Sequence, residues 1–232
     1  MHLPQGEGPF PVIILLHGFI FRDAYQTGDD TWLAAQNLAS SGYLTLAPRP
    51  TQLGRLRQRS QPVPHRAGHR RSKSHPFPTL AAEADPERLG LWGHSMGGGI
   101  ATKLLTVNDQ VKTAVLYAPN SADDADLIAR WGPGCLPHQT DVDFEDNQCN
   151  PGEIVPPGTP ANLVQAYLET AADPGRLSAF APIYQLDYIT AAVQIHSGQG
   201  DGQALVETPP EWAQKLADGL QTAGKRGCLF QL

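Results

Sequence analysis

The run Gly93-His94-Ser95-Met96-Gly97 holds the most chemistry in this sequence. A serine framed by glycines two positions before and two after suits a sharp turn from strand to helix, because backbone can close in where a side chain would clash. The flanks supply that context, since RLGLWG before it is an apolar run of strand length and the stretch after it has helical spacing. At the tip of such a turn the Ser95 hydroxyl is placed to attack a carbonyl carbon. The bland alternative is a glycine-rich helix start that only packs against a sheet.

Attack on a carbonyl creates an oxyanion, and that charge needs preorganised backbone N–H donors. One is expected from the residue after the nucleophile, Met96. The other is expected from the loop that follows the early apolar run PVIILL, at His17-Gly18-Phe19, with Phe19 as donor. His17 is then a loop-orienting hydrogen-bonder rather than a base, and His17, Gly18 and His94 are expected to line the substrate site. The third candidate is Asp201, in His196-Ser197-Gly198-Gln199-Gly200-Asp201 just past the run AAVQIHS. A carboxylate there could orient a histidine and stabilise its imidazolium. Among glycines Asp201 could also be an ordinary turn former, and Glu207 is a less well placed acid.

These residues need a frame that holds them at one edge. Short apolar runs alternate with helical patterns, which argues for a doubly wound, mostly parallel α/β sheet. The expected strands are 11–16, 43–47, 88–93, 111–118, 191–197 and 227–232. Several are apolar throughout, as strands covered on both faces should be. Helices are expected over 30–41 with Asp29 or Asp30 as cap and Gly42 as stop, over 97–107, over 161–172, and over 209–223 with Gly224 just past the end. Residues 120–175 separate two late strands by more than a usual crossover and are expected to form a lid insertion over the site. All 232 residues are read as a single domain.

Composition sets bounds on function. The net charge of −6 gives no general attraction to nucleic acid. Residues 49–78 are anomalous, because they hold eight of the 17 Lys and Arg and no Asp or Glu. A basic nucleic-acid-binding loop is one reading, but interleaved aromatics are lacking and the remaining chain has nine basic against 23 acidic residues. Cys135 and Cys149 bracket a short loop and could pair in an oxidising compartment or stay free. Cys228, in a terminal strand, is expected to be a small buried side chain. The apolar runs fall short of a bilayer span, so a soluble chain is expected, either cytoplasmic or exported if a leader lies upstream. Neither cysteines nor histidines have metal-ligand spacing and no glycine-rich loop reads as a phosphate cradle, so no metal and no cofactor are expected.

The stretches GPFPVIILLHGF, GYLTLAP, DPERLGLWGHSMGGGIA, VQIHSGQGD and PEWAQKLADGLQTAGK together resemble a bacterial α/β-hydrolase of the dienelactone hydrolase and prolyl-oligopeptidase-like group. The resemblance implies the α/β-hydrolase fold and acyl transfer on esters, lactones or peptides, with Ser95 as nucleophile and Asp201 as acid. Two departures stand out. After a run like 43–48 such proteins continue with an acidic residue and a glycine-rich turn, so Arg49 to Pro78 is read as a frame-shifted segment that resumes its frame near Ala81; sequencing the DNA decides this. The family's base histidine follows the last strand, and here every one of the eight histidines precedes Asp201. His94 should point away from the Ser95 Oγ, and His138 lies in the expected lid.

The sequence is therefore read as a serine hydrolase acting on a small-molecule ester or peptide substrate, truncated at both ends and impaired by the absent base. The alternative is a catalytically inactive binding module on the same fold.

Overall fold

Six strands form where the sequence carries its apolar runs: β1 (Phe10–Leu16), β2 (Leu44–Leu46), β3 (Ala84–His94), β4 (Val111–Tyr117), β5 (Ala192–Ser197) and β6 (Gly227–Gln231). They build one sheet in the order β2-β1-β3-β4-β5-β6, and every strand pairing is parallel. Parallel neighbours need long crossovers, which here are helical: α1 (Trp32–Ser40), α2 (Met96–Val107), α3 (Asp124–Trp131), α4 (Ala161–Ala171), α5 (Pro174–Phe180) and α6 (Pro210–Thr222). The computed structural model describes residues 1–20, 25–26, 28–48, 83–131, 160–204 and 207–232.

Helices lie on both faces of the sheet. Ala114 and Leu116 of β4 and Val193 and Ile195 of β5 pack one face against Ala101 and Leu105 of α2 and Leu216 and Leu220 of α6. On the other face, Ile13 and Leu15 of β1 meet Ala35 and Leu38 of α1. This is the doubly wound arrangement expected from the sequence. Its consequence is that all six carboxyl ends of the strands point the same way, toward one rim where loops converge.

Strand and helix limits fall within a few residues of the expected ones; β3 is the furthest off, beginning four residues earlier. Gly42 and Gly224 both have positive φ, 93° and 66°, as stops after α1 and α6 require. Three expectations need correction. Neither Asp29 nor Asp30 caps α1; Thr31 holds the cap position, Asp29 accepts from the Gln26 amide, and the Asp30 carboxylate is spent on the rim. Cys228 is exposed rather than buried, because among the described residues β6 is the sheet's outer strand, paired with β5 alone. Helices α3 and α5 were not expected. The latter starts at Pro174 behind Asp173, whose carboxylate accepts from the Gly175 and Arg176 amides.

The segment expected as a lid is anchored at its first end. Asp123 and Asp126 at the start of α3 take an ion pair from Lys215 of α6, at 2.8 and 2.9 Å, and Trp131 packs edge-on to Trp212 at 5.2 Å. Residues 120–131 thus belong to the body of the domain. Residues 132–159, with Cys135, His138 and Cys149, lie outside the described residues, as does the basic segment 49–78. Among the described residues no helix is long and apolar enough to cross a membrane.

Candidate active site

Ser95 sits between the end of β3 and the first turn of α2 with φ 50° and ψ −116°, a conformation that side chains rarely adopt. The glycines around it explain how it is held. A Cβ on Gly97 would lie 2.1 Å from the Leu16 carbonyl oxygen and 2.7 Å from that of His17, and one on Gly93 would lie 2.5 Å from the Gly97 carbonyl oxygen. Gly98 is pressed against Pro119 in the same way, at 2.7 Å. The turn can therefore close only because three side chains are missing. Ser95 N–H donates to the Tyr117 carbonyl at 2.9 Å, and its own carbonyl accepts from Gly99 and Asn120, so the backbone is pinned on both sides. The side chain is partly exposed, with no hydrogen bond to its Oγ among the described residues.

Met96 opens α2, where the first amides have no acceptor within the helix. Opposite it lies the loop after β1. Gly18 comes so close that a Cβ there would be 3.4 Å from the Ser95 Cβ and 3.1 Å from His94 Nδ1. The Gly18 N–H already donates to Asp30 Oδ2 at 2.6 Å. His17 is buried, bonds the Gly18 carbonyl through Nδ1, and stacks on Tyr25 with ring centres 4.5 Å apart. His94 turns its ring to Asp30, Nδ1 to Oδ2 at 2.7 Å, and lies against Tyr117 of the next strand.

Asp201 stands past the carboxyl end of β5, two strands from Ser95, a lateral separation of about 10 Å from the usual spacing of neighbouring strands. Its Oδ2 accepts from the Gly198 amide at 2.7 Å, closing a tight turn. The surrounding loop is tied down by Arg130 of α3, which donates to the Gly202 and Ala204 carbonyls at 3.2 and 2.8 Å. The Leu232 amide donates to the Ser197 carbonyl and its carbonyl accepts from Gln199, so the end of β6 lies beside this turn.

Ser95, Met96, His17, Gly18, Phe19 and His94 thus meet at one point of the rim, with Asp201 further along it. Asp30 belongs to this cluster and was not singled out in the sequence. It lies 12 residues from Gly18 and 64 from His94, so no local pattern links them. Burial pushes its carboxyl up, but hydrogen bonds with His94 and Gly18 and the charges of His94 and His17 outweigh that, and the net shift is below the ordinary 3.8. Backbone strain collects here as well, since the non-glycine residues with positive φ among the described ones, Asp30, Ser95 and Ala118, all border this rim. Among the described residues no group of three or more His, Cys, Asp or Glu is arranged to hold a metal ion.

No family model and no curated protein matches this sequence. Solved structures do. A puromycin-hydrolyzing peptidase of Mycobacterium tuberculosis superposes with a TM-score of 0.58 at 18% identity, over 99% of this chain and 31% of that one. A Klebsiella pneumoniae protein assigned as a dienelactone hydrolase gives 0.52 at 16%, over 99% and 76%. A thermophilic esterase of Thermogutta terrifontis gives 0.57 at 14%, over 100% and 76%. The chain spans about a third of the length of the peptidase it matches and three quarters of the other two. The parallel six-stranded sheet, the helices on both its faces and these superpositions agree, and the chain has the α/β-hydrolase fold.

Proposed function

We propose that this chain is a serine hydrolase of carboxylic esters, or of peptide or lactone bonds, working through an acyl-enzyme on Ser95. The observation that carries the reading is the strained Ser95 turn, with φ 50°, whose closure depends on Gly93, Gly97 and Gly98. Strain of roughly 1–3 kcal/mol at one residue persists only where the surroundings enforce it, and such sites are commonly functional.

In this reading the Ser95 Oγ forms a bond to the carbonyl carbon while its proton leaves to a base. The carbonyl oxygen, now negative, faces the amides of Met96 and Phe19. Collapse of the tetrahedral species breaks the bond to the alcohol or amine, which departs with a proton, and water then cleaves the acyl-serine by the reverse route. Asp201 orients the base. The gap of about 10 Å between the two strand ends suits an imidazole that bonds Oγ on one side and the carboxylate on the other. No histidine follows Asp201 in this sequence, and among the described residues no hydrogen bond joins His94 to the Ser95 Oγ. A polypeptide of these 232 residues alone, with no base added, is expected to turn over slowly, on what the oxyanion donors supply.

That no base is bonded to the Ser95 Oγ among the described residues favours a second reading, a binding module on the hydrolase fold without turnover. The two separate on hydrolysis of p-nitrophenyl acetate with added imidazole as a diffusible base. The hydrolase reading expects a rate near that of Ser95→Ala without imidazole, and a saturable, Ser95-dependent rise with it. A rise equal in wild type and Ser95→Ala favours the binding module.

A further inference from the structure

We propose that Asp30 is a positioning residue of this site, one whose carboxylate clamps the loop 17–19 onto the Ser95 turn by holding the Gly18 amide and the His94 ring with a single oxygen. The inference rests on the acyl-transfer reading above for its purpose, but the clamp can be measured without it.

The geometry is specific. Asp30 Oδ2 accepts from Gly18 N–H at 2.6 Å and from His94 Nδ1 at 2.7 Å. Since a carboxylate only accepts, both partners donate, and the His94 proton resides on Nδ1. One oxygen thereby joins the loop after β1 to the residue that immediately precedes Ser95. Asp30 reaches this place with φ 64°, a conformation costly for any residue with a Cβ, although capping α1 would ask nothing of the kind. The Gly18 carbonyl is held separately, by His17 Nδ1. Peptide groups are planar, so fixing the Gly18 oxygen fixes the direction of the Phe19 N–H on the other side of the same plane. Asp30 and His17 thus lock the two peptide planes that meet at Gly18, and the Phe19 amide is aimed by groups that never touch a substrate. Gly18 needs no side chain for this, and one would crowd the clamp: a Cβ would lie 3.1 Å from His94 Nδ1 and 3.2 Å from Asp30 Oδ2.

The test is amide hydrogen exchange at Gly18 and Phe19 by NMR on the full chain, in wild type, Asp30→Ala and Asp30→Asn. Asp30→Ala is expected to raise exchange at Gly18 about tenfold, the effect of one charge-assisted hydrogen bond. Asp30→Asn keeps an oxygen for Gly18 and is expected to restore part of the protection; should Asp30→Ala not fold, this variant decides, expected to lie measurably above wild type at Gly18. In parallel, imidazole-assisted phosphonylation of Ser95 by a fluorophosphonate is expected to slow about 10- to 100-fold in Asp30→Ala, with saturation by the probe changed by less than about twofold, the pattern of a misplaced stabilising group. Unchanged exchange at Gly18 overturns the clamp. Raised exchange with wild-type labelling shows a clamp that positions nothing, and overturns the proposal too. If Ser95 is inert in every protein, the acyl-transfer reading fails, and exchange alone judges the clamp.

Discussion

Replacing Gly97 by alanine probes the turn where the fold and the site depend on each other. The new Cβ would lie 2.1 Å from the Leu16 carbonyl oxygen, 2.4 Å from the Leu16 carbonyl carbon and 2.7 Å from the His17 carbonyl oxygen. Ordinary contact begins near 3.4 Å, so the end of β1 and the start of α2 must separate by about 1 Å. No side chain can rotate aside, because all three neighbours are backbone atoms. Overpacking of this kind costs about 1–3 kcal/mol, and rigid neighbours put this position at the upper end. Against it stands the helix preference for alanine over glycine, about 1 kcal/mol. The net loss is about 2 kcal/mol, which for a domain of this size lowers the melting temperature by roughly 4–8 °C. Gly99→Ala is the control in the same helix turn: its Cβ would meet only Asn120 Cβ at 3.0 Å, with the next atoms at 3.9 Å, and it should be neutral or slightly stabilising. Urea denaturation of the two variants decides. Gly97→Ala within 0.5 kcal/mol of wild type, a threshold about that of ordinary surface changes, would refute the close approach of β1 to the start of α2.

Other outcomes follow from the same contacts. Arg130→Ala removes both hydrogen bonds to the Asp201 loop and should cost roughly 1–2 kcal/mol, with faster amide exchange confined to residues around 198–204. Lys215→Met leaves Asp123 and Asp126 facing each other without their cation; because Lys215 is partly exposed, a loss of about 1–2 kcal/mol is expected in denaturant titrations, less than for a fully buried pair. Asp30 has a lowered carboxyl, so its contribution is present above the ordinary 3.8 and lost as pH falls through its folded value; stability curves of wild type and Asp30→Asn should converge in acid. Asp124 behaves oppositely. Burial raises it despite the pull of Lys103, so its contribution is full below 3.8 and lost as pH rises through its higher folded value, and Asp124→Asn should flatten that decline in melts taken from pH 3 to 7.

Much of the frame was legible in the sequence because its signals are local. The apolar run Val12 to Leu16 marks a strand covered on both faces, and Gly42 and Gly224 mark helix ends by the positive φ they adopt. The Gly-x-Ser-x-Gly turn belongs to the same class, since strand, turn and helix are contiguous. Helix α3 was legible but overlooked, for Leu127, Ile128 and Trp131 have helical spacing behind acidic Asp124 and Asp126. So was α5, announced by Asp173-Pro174. Contacts between distant segments were not legible. The Asp30 clamp joins three stretches of chain, and Asp30 in isolation resembles any acidic residue before a helix. Exposure of Cys228 likewise follows from strand order, which puts β6 at the edge, and not from the residues of the strand itself.

The central claim is that the Ser95 hydroxyl is the reactive group of this rim, and peptide mapping after fluorophosphonate treatment in imidazole tests it most directly. A single phosphonylated peptide carrying the adduct on Ser95 is expected, formed faster with imidazole and absent from Ser95→Ala. An adduct at another residue, or none at Ser95 while the protein remains folded, would contradict it.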